Sequence, residues 1–359
     1  MKPVDDLMKK AVADGIFPGG VLYVSKKGKI DFHKAYGIVD IVSKRPVTVE
    51  TVFDLASLTK PLATTLAIMK LVEQKKLALD QSLGMLIPGF AGTEKGEITV
   101  RHLLAHTSGL PDYRPYYEKL REIPQKKRKK AIRELLTGEI LIHPIGRTTL
   151  YSDIGFMILC WMIEEISGKR LNDFVLDEIY APAGLKDLFF IDLERSKKNA
   201  YLLNKEFAAT EKCLWRRKTL IGEVHDDNAF AVGGIDGHAG LFGTAAEVGK
   251  LLLLLQSLYH GYLTESVLLS GTVRQFLSRQ GHTGRVLGFD IPDVGKSSCG
   301  HYFSEKTVGH LGFTGTSFWM DLETEINVIL LTNRVHPSRD NDRIRAFRPE
   351  IHDAIIKNI

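Results

Sequence analysis

Ser57 and Lys60 stand three residues apart in Ser57-Leu58-Thr59-Lys60. On a helix, side chains at that spacing are neighbours, with Cβ atoms about 5–6 Å apart. A serine hydroxyl is a poor nucleophile until a base removes its proton, and a lysine held neutral by burial or a neighbouring charge is such a base. The pair therefore reads as an activated serine that would form a covalent acyl intermediate, with no metal and no cofactor. If Ser57 opens the helix, its own backbone N–H has no intrahelical acceptor and is free for a developing oxyanion, a type of donor worth roughly 3–4 kcal/mol of barrier.

A four-residue pattern is weak by itself, because chance alone supplies about one in a chain of this composition. This is the only Ser-x-x-Lys present, and it has company in order: Tyr151-Ser152-Asp153 well downstream, and His310-Leu311-Gly312 near the C-terminus before a strand. Other candidate chemistry fares worse. His102 and His106 have the spacing of a zinc pair on a helix, but Leu103 stands where such a motif needs glutamate, so they read as structural. No Gly-x-Ser-x-Gly elbow occurs, and Gly233-Gly234 and Gly237 to Gly243 read as turns rather than a dinucleotide loop. His225, Asp226, Asp227 and His238 form a polar, Gly-flanked region that either lines a pocket or holds loops together.

The elements that must position these residues follow from periodicity. Val21 to Ser25 and Ile30 to Tyr36 flank Lys26-Lys27-Gly28-Lys29, a hairpin with glycine in its turn. From Asp54 to about Lys76 the apolar positions Leu55, Leu58, Leu62, Leu66, Met69 and Val72 fall three or four apart, which predicts a helix starting close to Ser57. Pro61 fits there because a first turn needs no intrahelical donor. Helical segments dominate from about 77 to 204: Val100 to His106, Lys126 to Leu136, and Ile154 to Ile166 stopped by Ser167-Gly168. Beyond 205 come Gly-rich loops, a helix from Ala245 to Tyr259, strands Ser317 to Leu322 and Ile326 to Thr332, and a terminal helix Ile351 to Ile359. The expected fold is α/β in the α+β sense, an antiparallel sheet flanked by helices plus a mostly helical domain. Residues 1–57 and 205–359 would form the sheet domain and 58–204 the helical one, with the active site at their seam.

Composition sets broad limits. With 359 residues, 44% of them hydrophobic and 25% charged, the chain has the makeup of an ordinary globular protein with a sizeable core. The formal net charge of +5 is densest at Lys126-Lys127-Arg128-Lys129-Lys130. No aromatic residue interleaves with that run, so it reads as the solvated face of a helix and not as a nucleic-acid site. Cys160, Cys213 and Cys299 are odd in number and scattered, which suggests reduced thiols in the cytoplasm. The N-terminal stretch lacks a signal-peptide core. The longest apolar run, Phe156 to Ile163, is far short of the ~20 residues of a membrane span. Oligomeric state is not legible.

Together these motifs resemble the serine β-lactamase and penicillin-binding protein superfamily, and within it the class C β-lactamase-related esterases and D-alanyl-D-alanine peptidases. The likeness covers nearly the whole chain and includes Arg101 to Leu110, Val224 to Ala229 and Gly237 to Phe242. It implies an α/β-plus-helical fold in which Ser57 is the nucleophile, Lys60 its proton partner and Tyr151 a second base, the phenol lowered by Lys60. It also implies that His310-Leu311-Gly312 line the opposite wall and that the Phe313 N–H is the second oxyanion donor.

Two departures bear on substrate. His310-Leu311-Gly312 stands where penicillin-recognising members usually carry Lys-Thr-Gly, so a permanent cation becomes an imidazole titrating near ~6.5 and a hydroxyl is lost. Asp153 replaces an asparagine found in many members and adds negative charge near Lys60. Both changes favour small neutral esters over β-lactams. A D-alanyl-peptide hydrolase or weak β-lactamase, acting on an amide, is the nearest alternative, and a non-catalytic binding module the alternative of another class.

Overall fold

The computed structural model describes residues 1–194, 204–281, 284–293 and 297–359. Its centre is a five-stranded antiparallel sheet of β1 (Gly19–Lys26), β2 (Lys29–Gly37), β3 (Thr307–Leu311), β4 (Ser317–Asp321) and β5 (Ile326–Thr332), in the order β2-β1-β5-β4-β3. The two ends of the chain thus share one sheet, with Leu22 opposite Leu330 and Val24 opposite Val328. The β1–β2 turn has Lys27 at φ 48° and Gly28 at φ 78°, the left-handed pair whose twist suits a two-residue hairpin.

Alternation along β1 explains the layering, since successive side chains point to opposite faces. Leu22 and Val24 pack with Val328 and Leu330 under α1 (Lys2–Ala13) and α5 (Ile344–Asn358), through Val4, Met8, Phe347 and Ile351. Val21 and Tyr23 face the other way, into the main core with α4 (Ala245–His260) and the helical region. In that core lie α2 (Leu66–Glu73) and α3 (Asp153–Ser167), both mostly buried, and α3 ends at Gly168 in the left-handed conformation, as its sequence signals. No described helix is long and apolar enough to cross a membrane.

Three local expectations change. The helix after Ser57 opens with a tight 3₁₀ turn, Ala56–Leu58, and a wide π turn, Lys60–Thr65, before becoming α-helical at Leu66. Pro61 lies in the wide turn, where its missing N–H removes the bond a regular helix would require. His310 and Leu311 are themselves the end of strand β3, and only Gly312 lies in the turn beyond it. The terminal helix begins at Ile344 and carries Pro349 within it. Lys126 to Lys130 do lie on a helix, Gln125–Thr137, from which Lys129 and Arg133 pair with Glu164.

Candidate active site

Ser57 is held by the backbone around it. The buried carboxylate of Asp54 accepts the N–H groups of Ala56 (2.8 Å) and His225 (2.6 Å), and Leu55 N–H donates to Leu241 O (2.9 Å). Ala56 is driven to φ 48°, a conformation that costs a non-glycine residue on the order of 1 kcal/mol and turns Ser57 sharply out of the strand Phe53–Asp54. The Thr59 hydroxyl closes the turn by donating to Ala56 O (2.6 Å) and accepting from Leu241 N–H (3.1 Å).

Lys60 is wholly buried, and its ammonium has three oxygen partners: Ser57 Oγ at 2.9 Å, Asp153 Oδ1 at 2.7 Å and the His238 carbonyl at 3.2 Å. It also lies 4.7 Å from the centre of the Tyr151 ring and 5.7 Å from that of Phe156. Burial pushes the Lys60 pKa down, but Asp153 and then Tyr151 outweigh it, and the net shift is upward. Burial alone would favour a neutral lysine, but with Asp153 beside it the balance favours the ammonium in the resting site. An ammonium that donates to Ser57 and His238 and is paired with Asp153 has no lone pair for the serine proton.

Tyr151 precedes α3, whose N-cap Ser152 accepts from Gly155 N–H. Its ring, 40% exposed, lies between two imidazoles, 4.7 Å from His106 and 5.8 Å from His310. Burial of its hydroxyl raises the pKa, Lys60 and Ser57 pull it down, Asp153 pushes it up again, and the balance is upward. This runs against the expectation of a phenol lowered by Lys60: burial of the hydroxyl, and after it the Asp153 carboxylate, outweigh the cation. His106 is structural in the sense expected, its Nδ1 accepting Ser152 N–H (3.0 Å) and its ring packing against Tyr151. His102 caps its helix by accepting Thr99 N–H (3.2 Å), and no metal-binding cluster occurs among the described residues.

His310 is buried, its Nδ1 donating to Leu311 O (2.9 Å). Burial, and after it the Lys60 charge, lowers its pKa to about 3, so this wall is neutral. Arg285, which sequence reasoning did not single out, also contributes to that depression and to the one at His106; it is paired with Asp290 at 3.1 Å. No motif marks it.

The turn after His310 is locked onto the Ser57 turn. Thr314 Oγ donates to Asp54 O (2.7 Å) and Thr316 Oγ to Leu55 O (3.0 Å). A Cβ on Gly312 would sit 2.7 Å from Leu55 O and 2.0 Å from Thr316 Oγ, so only glycine fits between them. The Phe313 ring is 50% exposed, stacked on His225 at 5.7 Å with Arg334 4.6 Å from its centre. Neither the Ser57 nor the Phe313 backbone N–H has an acceptor among the described residues.

The polar region left open by sequence mostly holds loops. His238 pairs with Asp226 at 2.9 Å, Asp226 caps the helix Asp227–Ala231, and Asp227 binds Arg216 and the Trp215 indole. Two of these residues also reach the site: His238 through its carbonyl on Lys60, and His225 through its ring on Phe313.

A family model described as Beta-lactamase matches residues 4–351. The chain is 33% identical to N-acetylmuramyl-L-alanine amidase of Bacillus subtilis (strain 168), with 94% of this chain and 81% of that protein covered. It is 30% identical to an Escherichia coli (strain K12) protein with the provisional description D-alanyl-D-alanine carboxypeptidase, covering 89% of this chain and 79% of that one. Among solved structures, EstCE1, a hydrolase with promiscuous acyltransferase activity, superposes with a TM-score of 0.74 at 24% identity, over 97% of this chain and 98% of that chain.

Proposed function

The chain belongs to the beta-lactamase family of serine hydrolases, and from that premise we propose that it cleaves small neutral carboxylic esters through an acyl-enzyme on Ser57. The observation that carries the choice of substrate is the neutral wall: His310 has a pKa of about 3, Leu311 offers no hydroxyl, and Arg285 is engaged by Asp290. Among the described residues, a carboxylate-bearing substrate finds no unengaged cation on this wall, whereas an ester needs none.

In this mechanism the Lys60–Tyr151 pair first sheds one proton, giving phenolate beside ammonium or phenol beside amine. The pair then takes the Ser57 proton as Oγ attacks the ester carbonyl, and the oxyanion is held by the N–H groups of Ser57 and Phe313. Collapse expels the alcohol, which receives a proton from Tyr151. Water repeats the sequence on the acyl-serine and releases the acid, restoring Ser57. All three cysteines are free and buried, which supports a reducing compartment as part of the proposal. The division into a sheet domain (1–57 and 205–359) and a helical domain (58–204), with Ser57 at their seam, belongs to it as well.

Amide cleavage is the second reading, favoured by the amidase and carboxypeptidase descriptions of the two sequence relatives. Comparing kcat/KM for a short p-nitrophenyl ester and a chromogenic cephalosporin separates the two. The ester is expected to win, and a clear preference for the cephalosporin would overturn the choice. Labelling with a fluorophosphonate, lost in Ser57→Ala, is expected of the enzyme; no Ser57-dependent adduct at any pH would mean a binding module.

A further inference from the structure

The Gly312–Thr316 turn is fixed from behind by two arginines. Arg348 of α5 is buried, and its Nη2 donates to Thr316 O (2.9 Å) and Gly312 O (3.3 Å). No carboxylate pairs with it among the described residues, and its Nε is buried without a partner. Burial, then repulsion from Arg334 and Arg345, lowers its pKa. Arg334 takes the next carbonyl, Phe313 O, through Nε (2.9 Å) and Nη2 (2.5 Å). A buried guanidinium spent on main-chain carbonyls, with no anion to neutralise it, is an expensive way to brace a turn.

Peptide planarity says what it achieves. Gly312 C=O and Phe313 N–H belong to one trans unit and point in opposite directions. Arg348 and Gly315 N–H (3.1 Å) both hold Gly312 O, so the Phe313 N–H is aimed the other way, with the turn itself tied to the Ser57 turn through Thr314 and Thr316. A cation at the carbonyl end also polarises the unit and makes its N–H a stronger donor. We infer that Arg348 is a positioning residue for catalysis, which keeps the 312–313 peptide from rotating and so keeps the second oxyanion donor formed. The inference rests on the acyl-enzyme reading of Ser57.

The test compares wild type, Arg348→Met and Arg348→Lys, first by thermal unfolding, then by hydrolysis of p-nitrophenyl butyrate and inhibition by phenylboronic acid, which mimics the tetrahedral intermediate on a serine. In R348M, kcat is expected to fall about 10²-fold, the loss typical of one oxyanion donor, with KM within about threefold. Phenylboronic acid affinity should fall by a similar factor, with R348K in between. A residue that only braces the fold would lower the melting temperature and leave boronate affinity per active site at the wild-type value, which overturns the inference. If R348M does not fold, R348K decides: about tenfold losses in kcat and boronate affinity support the role, and wild-type values for both overturn it. Wild type without ester turnover or Ser57 labelling sinks the acyl-enzyme reading, and this inference with it. Wild-type activity matched by R348M sinks the positioning role alone.

Discussion

Lys60 Nζ lies 2.7 Å from Asp153 Oδ1, closer than its 2.9 Å to Ser57 Oγ. The lysine that meets Ser57 is therefore held by an anion, and that anion raises the pKa of both Lys60 and Tyr151. Asparagine at this position would keep a hydrogen-bonding oxygen and remove the charge.

Asp153→Asn is accordingly expected to move the pH profile. The active form of the Lys60–Tyr151 pair has one proton fewer than the resting form, so kcat/KM rises with pH through the pair's apparent pKa. Both groups are raised in the wild type, which places that rise on the alkaline side. Removing the negative charge lowers both, and the rise should move to lower pH. Measuring kcat/KM for a p-nitrophenyl ester against pH checks it; an unmoved rise, or one displaced upward, would show that Asp153 does not set the proton inventory.

Gly312 is required by space, and its replacement tests the turn directly. The Cβ of Gly312→Ala would meet a backbone oxygen, Leu55 O, at 2.7 Å as well as the Thr316 hydroxyl. A backbone atom cannot rotate away, so the turn must shift and carry the Phe313 N–H with it. Turnover is expected to fall about 10²-fold, the scale of a lost oxyanion donor, with about 1–3 kcal/mol of stability lost to overpacking. A folded variant with wild-type kcat would show that the turn tolerates displacement.

Much of this site was legible in the sequence, and most of what was not depends on tertiary distances. Ser57, Lys60, Tyr151 and Asp153 converge, and His310 packs on Tyr151, because motif spacing and resemblance fix which elements meet. The sheet joining both ends of the chain followed from strand patterning at Val21 to Ser25 and Ile326 to Thr332. What the sequence could not supply was the balance of charges around the site. Burial alone argues for a neutral Lys60, but Asp153, at a distance of 2.7 Å that no spacing encodes, reverses the sign; the cation alone argues for a lowered Tyr151, but burial of its hydroxyl and then Asp153 outweigh it. Arg285, Arg334 and Arg348 were invisible for a related reason: each reaches the site across the tertiary fold, from a segment without a motif. The irregular turns at Ala56–Leu58 and Lys60–Thr65 were hidden behind an apolar period that a regular helix would also produce.

Substrate choice is assigned to the neutral wall, so restoring a cation there should change it. His310→Lys places an amine where the imidazole packs on Tyr151, in a buried position already near Lys60. Desolvation and the neighbouring cation make the change destabilising, and some loss of ester turnover is expected. The informative quantity is the ratio of kcat/KM for a carboxylate-bearing cephalosporin to that for a neutral ester. It should rise at least about tenfold, the effect of ~1.4 kcal/mol of differential binding. A folded variant with an unchanged ratio would assign specificity to the surrounding loops.

Stability should carry its own pH signature through the buried His238 and the partly exposed Asp226, 2.9 Å apart beneath Lys60. Burial alone would lower the His238 pKa, but Asp226 and then Asp236 raise it to about 10, while that of Asp226 is held below the usual carboxylate range by His238 despite the desolvation of its carboxylate. A raised histidine contributes stability that is fully present below its unfolded value of 6.5 and lost as pH climbs toward about 10. A depressed aspartate contributes stability that is present above its unfolded value of 3.8 and lost on acidification. The pair is therefore worth most between those unfolded values. His238→Gln, which keeps a hydrogen-bonding side chain and removes the charge, should destabilise the fold most near pH 5.5 and progressively less toward pH 10. Denaturant unfolding of both proteins across that range measures the difference; one that stays constant from pH 5.5 to 9.5 would mean that His238 is not held as an imidazolium.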